Sequence, residues 1–165
     1  MNHKIALSGR SGSGKTTVAE YLVNKHGYTH RSTGAACRDV CNWLFGDDSK
    51  AILNKVTDAL KAVDPNVWLR AALSCLEQDT PVVFDSMRFA TDYAFLKKQG
   101  FDMWRIEAPL AIRLVRMQRR GQVVRAQDDE HRAETELDGY PFDRFVDNSG
   151  EDIDLLYCVI EKALR

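Results

Sequence analysis

Eight residues near the start of the chain, Gly9-Arg10-Ser11-Gly12-Ser13-Gly14-Lys15-Thr16, have types and spacing suited to holding phosphate. They complete the pattern G-x-x-x-x-G-K-[ST]. Gly9, Gly12 and Gly14 let the backbone turn its N–H groups, that of Ser13 among them, inward on an anion. Lys15 supplies a cation for β- and γ-phosphates, and the Thr16 hydroxyl suits Mg2+. Thr17 follows into the first turn of a helix, whose N-terminus adds partial positive charge. The competing reading is a glycine-rich turn with no ligand. The completeness of the motif argues against it. The expected ligand is a nucleoside triphosphate, ATP, with Mg2+.

Such a loop works only between a strand and a helix, and the flanking sequence provides both. Lys4–Leu7 is a short apolar-leaning run, and Val18, Leu22 and Val23 recur at helical spacing up to Gly27. Further strands are expected over 28–32, 81–85, 101–107 and 144–148. Helices are expected over 35–45, 49–63, 65–77, 91–99, 109–120, 128–137 and 151–164. Asp64-Pro65 reads as a cap and a first helical residue. Strands alternating with helices predict an α/β domain with a parallel five-stranded sheet flanked by helices. Ligands of such sheets lie beyond the carboxyl ends of the strands. That rule places the phosphate loop, Thr33-Gly34, Asp85 and Asn148 on one rim.

Bulk properties narrow the field. With 165 residues, 44% hydrophobic and 28% charged, the chain is expected to form one globular domain over 1–165. A net charge of −1 argues against a nucleic-acid partner, and no apolar run is long enough to span a membrane. Of the four cysteines, Cys37 and Cys41 are four apart and suit one buried helix face. No C-x-x-C pair occurs, so reduced thiols in a cytoplasmic protein, monomer or homodimer, are expected. His26 and His30 straddle Gly27, a poor arrangement for zinc.

Among triphosphate-binding classes, a GTPase switch needs N-K-x-D, which is absent. Asp85 is followed by Ser86 rather than by the second acid usual in motor ATPases. A small-molecule kinase needs a second phosphate site and cations that close over the transferring group. Arg113, Arg116, Arg119, Arg120 and Arg125 lie in the stretch from Ala108 to Gln127 with no acid among them. A solvated helix face would mix signs. The expected architecture is therefore a P-loop NTPase domain with a helical insert over 35–78 and an arginine-rich lid over 113–137.

Several segments resemble known kinases. "STGAACR", Ser32 to Arg38, resembles the S-T-G-x-x-x-R segment of adenylate kinase and its relatives, and "DSMRF", Asp85 to Phe89, their D-x-x-R segment. "DPNVWLRAAL", "DSMRFATDYAFLKKQGFDMWRIEAP" and "HRAETELDGYPFDRFVDNSGEDIDLL" together resemble the phage-type deoxynucleoside monophosphate kinases and the dephospho-coenzyme A kinase-like nucleotide kinases. Two departures are Ala35, where adenylate kinases carry an Asp, and the shifted Asp92.

The resemblance implies ATP-dependent phosphoryl transfer to a (deoxy)nucleoside monophosphate. Lys15, Asp85, Arg116, Arg120 and Arg125 would be catalytic, with Thr16 and Asp85 on the metal. Thr33, Arg38, Trp68 and Arg88 would hold the acceptor, and Asn148 would border the adenine or, equally, belong to a helix N-cap turn. For Trp68 a core position is the competing reading. For the arginines it is surface ion pairing. His131 and Glu134 carry no assigned role. Two other functions compete: a kinase for a hydroxyl acceptor such as dephospho-coenzyme A, with Asp85 as base, and a non-catalytic ATP-binding or nucleic-acid-processing module.

Overall fold

The computed structural model describes residues 4–74, 76–77, 79–122 and 129–165. In chain order these form β1 (Lys4–Ser8), α1 (Lys15–His26), β2 (Thr29–Arg31), α2 (Thr33–Phe45), α3 (Lys50–Val63) and α4 (Val67–Leu73). Then come β3 (Val82–Phe84), α5 (Ala90–Lys98), β4 (Asp102–Glu107), α6 (Leu110–Arg119), α7 (Arg132–Thr135), β5 (Arg144–Asp147) and α8 (Ile153–Ala163).

Ile5, Ala6 and Leu7 are buried because β1 has a parallel neighbour on either side, β3 and β4. A strand covered on both faces carries a continuous apolar run, as this one does. β5 pairs with β4 and β2 lies beyond β3, giving the order β2-β3-β1-β4-β5 in a parallel sheet. The register, Ala6 opposite Phe84 and Ser8 opposite Arg105, brings the strands' carboxyl ends to one rim. Val18 and Leu22 of α1 and Leu156 and Ile160 of α8 share the core that covers one face, with Tyr21 stacked on Tyr157 at 4.1 Å. Gly27 ends α1 at φ 69°, a backbone conformation open to glycine, and its N–H caps Val23 O.

The chain divides into two compact units, Met1–His30 with Pro81–Arg165, and Arg31–Thr80. The first carries the sheet. The second packs α2, α3 and α4 around Cys37, Cys41 and Trp68. Cys37 and Cys41 are free, buried thiols, and Cys37 Sγ lies 3.1 Å from Thr57 Oγ1. Cys75 lies outside the described residues. Among the described residues no helix is long and apolar enough to cross a membrane.

Three expectations are corrected. Asp64 does not cap a helix over 65–77. It ends α3, and its carboxylate turns back to accept the Asn66 N–H at 2.9 Å, so α4 begins only at Val67. Asp favours this local turn over helix. The expected helix over 128–137 shrinks to α7, because the side chains flanking it are drawn to partners on other elements. Trp68 is core, 3% exposed, with its indole N–H 3.5 Å from Thr57 O.

The burial of Leu22 on α1 sets a stability test. Leu22→Ala should cost about 2–5 kcal/mol in urea unfolding, while Glu20→Ala on the exposed face should stay within about 0.5 kcal/mol.

Candidate active site

The phosphate loop links β1 to α1 and is held in shape from three sides. Gly14 stands at φ 104° against the Asn148 side chain, which donates from Nδ2 to Ser13 O at 2.8 Å. Gly12, at φ 79°, passes so close to Arg113 that a Cβ would lie 2.8 Å from its carbonyl oxygen. Both need glycine for conformation and for room. Ser13 is buried, and its hydroxyl has no hydrogen-bond partner among the described residues. Lys15 donates from Nζ to the Gly9 and Arg10 carbonyls at 2.5 and 3.2 Å. Burial, then the charge of Arg88, pushes its ammonium down to about 8, against the pull of Glu134 and Asp85.

Asp85 leaves the end of β3 and meets His30 from β2, Oδ2 to Nε2 at 3.0 Å. Arg88 follows, its backbone N–H bonded to Asp92 at 3.0 Å and its guanidinium to Glu134 at 2.6 Å. Asp92, shifted relative to the resembled kinases, thus fixes the turn into α5. Thr16 is exposed at the start of α1. Among the described residues no cluster of three His, Cys, Asp or Glu side chains forms a metal cage. A Thr hydroxyl and one carboxylate fit Mg2+ instead, an ion that keeps waters and takes substrate phosphates as ligands.

The arginines of the acid-free stretch have separate surroundings. Arg113 is 4% exposed and forms a two-pronged pair with Asp129, at 2.5 and 2.9 Å. Arg116 donates from Nη2 to the Asn148 and Gly150 carbonyls at 3.1 and 2.7 Å. It lines a cleft of about 350 Å3 with Gly14, Thr17, Arg120 and Asn148. A cleft of that size accommodates a small ligand. Arg119 is exposed, near Glu151. Arg125 lies outside the described residues. In the other compact unit, Thr33 opens α2 after Ser32, whose hydroxyl accepts the Ala35 N–H at 3.1 Å, and Arg38 is exposed one turn on.

Acids past the arginine run complete the site, and spacing alone did not single them out. Glu134, 9% exposed, accepts the Ser11 N–H at 2.5 Å and the Ser11 hydroxyl at 2.9 Å. Burial alone would raise its pKa, but the Ser11 hydrogen bonds and Arg88 hold it below the usual carboxylate range. Asp129 also takes Arg10, at 2.9 Å. Asp138 takes Arg10 at 2.6 Å and the buried Arg105 at 2.5 Å. A sign reversal in the sequence, acids from 128 onward after the acid-free stretch, was the available signal.

Comparison with known proteins bears on the family and the fold. The family model AAA_18, described as an AAA domain, matches residues 5–137. A cytidylate kinase of Thermotoga maritima is 36% identical over 63 residues, 37% of this chain and 29% of that protein. A cytidylate kinase of Caldicellulosiruptor saccharolyticus is 26% identical over 114 residues, 65% of this chain and 50% of that protein. The chain thus matches half or less of the length of these relatives. The crystal structure of TT1252 from Thermus thermophilus superposes with a TM-score of 0.63 at 25% identity, covering 97% of this chain and 93% of that one. An unliganded sugar kinase from Janibacter sp. shares the fold, with a TM-score of 0.56 at 19% identity over 98% and 91% of the two chains. With a family model spanning β1 to α7 and the parallel sheet and phosphate loop beneath it, the chain belongs to the AAA_18 family of AAA domains, on a nucleotide-kinase-like P-loop fold.

Proposed function

We propose that the chain moves the γ-phosphoryl group of ATP to a nucleoside monophosphate or deoxynucleoside monophosphate. The observation that carries this reading is that Glu134 bonds both Ser11 on the donor loop and Arg88 on the strand-end turn, so that a second cation is held beside the loop that carries Lys15. Two cations so held suit two phosphates. The cytidylate kinases among the relatives support a monophosphate acceptor.

Catalysis of this kind is chiefly positioning and charge neutralisation. Gly9 to Thr17 and Lys15 hold the donor phosphates. Thr16 and Asp85 would hold Mg2+, which would supply positive charge against the donor phosphates. Arg88 fixes the acceptor phosphate by two-pronged hydrogen bonds, and Arg38, in the helical unit, is a separate candidate for an acceptor contact. The cleft lined by Arg116, Asn148 and Thr17 takes the adenine. Arg120, and Arg125 outside the described residues, are the candidates to meet charge on the transferring group. A phosphate oxygen is nucleophilic at neutral pH, so no base is required.

One observation favours a second reading, a hydroxyl acceptor. The His30–Asp85 contact at 3.0 Å orients a carboxylate at the strand end, and an alcohol needs such a base. ATP consumption measured across nucleoside monophosphates and dephospho-coenzyme A separates the two readings. Turnover with CMP or another monophosphate, abolished in a folded Lys15→Ala protein, is expected. Turnover with dephospho-coenzyme A alone favours the second reading.

The lid assignment distinguishes a kinase from an ATP-binding module. Among Arg116→Ala, Arg120→Ala and Arg125→Ala, at least one should lose roughly 10²-fold in kcat, ~2.7 kcal/mol, with ATP affinity changed far less. Near-normal kcat in all three would remove the lid role.

Lys15 gives a pH signature. With its ammonium at about 8, part of the population is neutral above that pH, and bound phosphate favours the charged form. Binding of an ATP analogue should therefore take up protons above about pH 8 and weaken as pH rises. Calorimetry in buffers of different ionisation enthalpy reads this directly. Proton release there would contradict the assignment.

A further inference from the structure

A single carboxylate touches both sides of the proposed reaction. Glu134 accepts from the Ser11 N–H and hydroxyl on the phosphate loop, at 2.5 and 2.9 Å, and from Arg88 Nη1 at 2.6 Å. Ser11 belongs to the Gly9–Thr16 loop that the kinase reading assigns to the donor phosphates. Glu134 therefore holds a donor of the loop that the phosphates of ATP would approach. With the other bond it holds the guanidinium that an acceptor phosphate would use.

The surroundings make this an exchange of side-chain partners rather than a wholesale movement. The turn carrying Arg88 is fixed by Asp92, which accepts the backbone N–H groups of Arg88 and Phe89, both at 3.0 Å. The segment carrying Glu134 is tied to the same turn by the Ala90 N–H on Glu136, at 2.9 Å, and to the loop by Asp138 on Arg10. Glu134 is 9% exposed, so its bonds form where charge is poorly screened and their loss is felt strongly.

Resting on the kinase reading above, we propose that Glu134 couples the two substrate sites as a positioning residue for Arg88. A donor phosphate that takes the Ser11 N–H removes Glu134's bonds to the loop and repels its charge. The carboxylate withdraws, and Arg88 becomes available to the acceptor phosphate. In the reverse direction, an acceptor phosphate on Arg88 strips Glu134 of its counter-ion and loosens its hold on Ser11. Coupling between two binding events is reciprocal. Each substrate therefore tightens the other, and Glu134 sets by how much.

Calorimetric titration of the full chain with Mg-AMP-PNP, a non-hydrolysable ATP analogue, and with CMP tests this. In the wild-type protein each ligand should raise affinity for the other by about 10-fold or more. Glu134→Gln keeps the shape and removes the charge, so AMP-PNP alone should bind roughly 5–10-fold tighter, with the mutual effect falling below about 2-fold. Glu134→Ala should change both in the same direction. A merely structural residue would give the opposite sign, weaker AMP-PNP binding in both variants. Unchanged or weaker AMP-PNP binding in Glu134→Gln overturns the proposal. So does independent binding of the two ligands, or no CMP binding, in the wild type. Failure of AMP-PNP to bind the wild-type protein at all overturns the kinase reading itself.

Discussion

Cations gathered around one anion-binding loop repel each other, and the rest of the site is arranged around that repulsion. Lys15, Arg10, Arg88, Arg105 and Arg113 all stand near residues 9–15, and two of the arginines are buried. Burying unpaired charge costs several kcal/mol, far more than any surface pair returns. The chain meets this with Asp129, Glu134 and Asp138, spaced along one short segment after the arginine run. Each of these acids ties a cation of the sheet's rim or its loops. The segment is consequently shaped by its partners, and the α-helix is confined to Arg132–Thr135, with Glu134 within it and Asp129 and Asp138 on either side.

The same constraint gives the arginine run two kinds of member. Arg113 is a fixed part, gripping Asp129 with both prongs and packing against Gly12. Arg116 lies across the carbonyls of Asn148 and Gly150, at the mouth of a cleft. Identical residue types three positions apart on α6 thus differ in burial and partner, because one faces the loop and the other faces the turn before α8.

Much of this was legible in the sequence. The phosphate loop was readable because its chemistry needs neighbouring residues in fixed order, and β1, β3 and β4 because buried parallel strands are uninterrupted apolar runs. Asp85 and Arg88 could be placed from strand ends alone. Glu134, Asp129 and Asp138 could not be given roles, since their partners lie on other elements, from 16 to 128 residues away, and leave no local spacing to detect. Arg105 reads as an ordinary charged residue in a strand, and only the tertiary fold shows it buried against Ser8 and Asp138. Trp68 illustrates the converse. Its position in a recognisable segment suggested ligand contact, whereas α2 and α3 enclose it. Asp64 misled because a short acid before proline serves both a cap and a turn, and the turn prevailed.

The strand order also governs how the molecule emerges from the ribosome. β1 is made before its partners β3 and β4, with Lys4 opposite Val82 and Ile5 opposite Asp102. All of Arg31–Thr80 is synthesised in between, and that stretch is helices whose contacts are near in sequence. Local contacts form fast and long-range strand pairing slowly. The helical unit can therefore fold while the apolar Ile5-Ala6-Leu7 run still waits, exposed, for strands not yet translated. That interval is when nascent chains are most open to misassociation. The polar glycine-serine loop directly after β1 limits the exposed apolar run to a few residues during the wait.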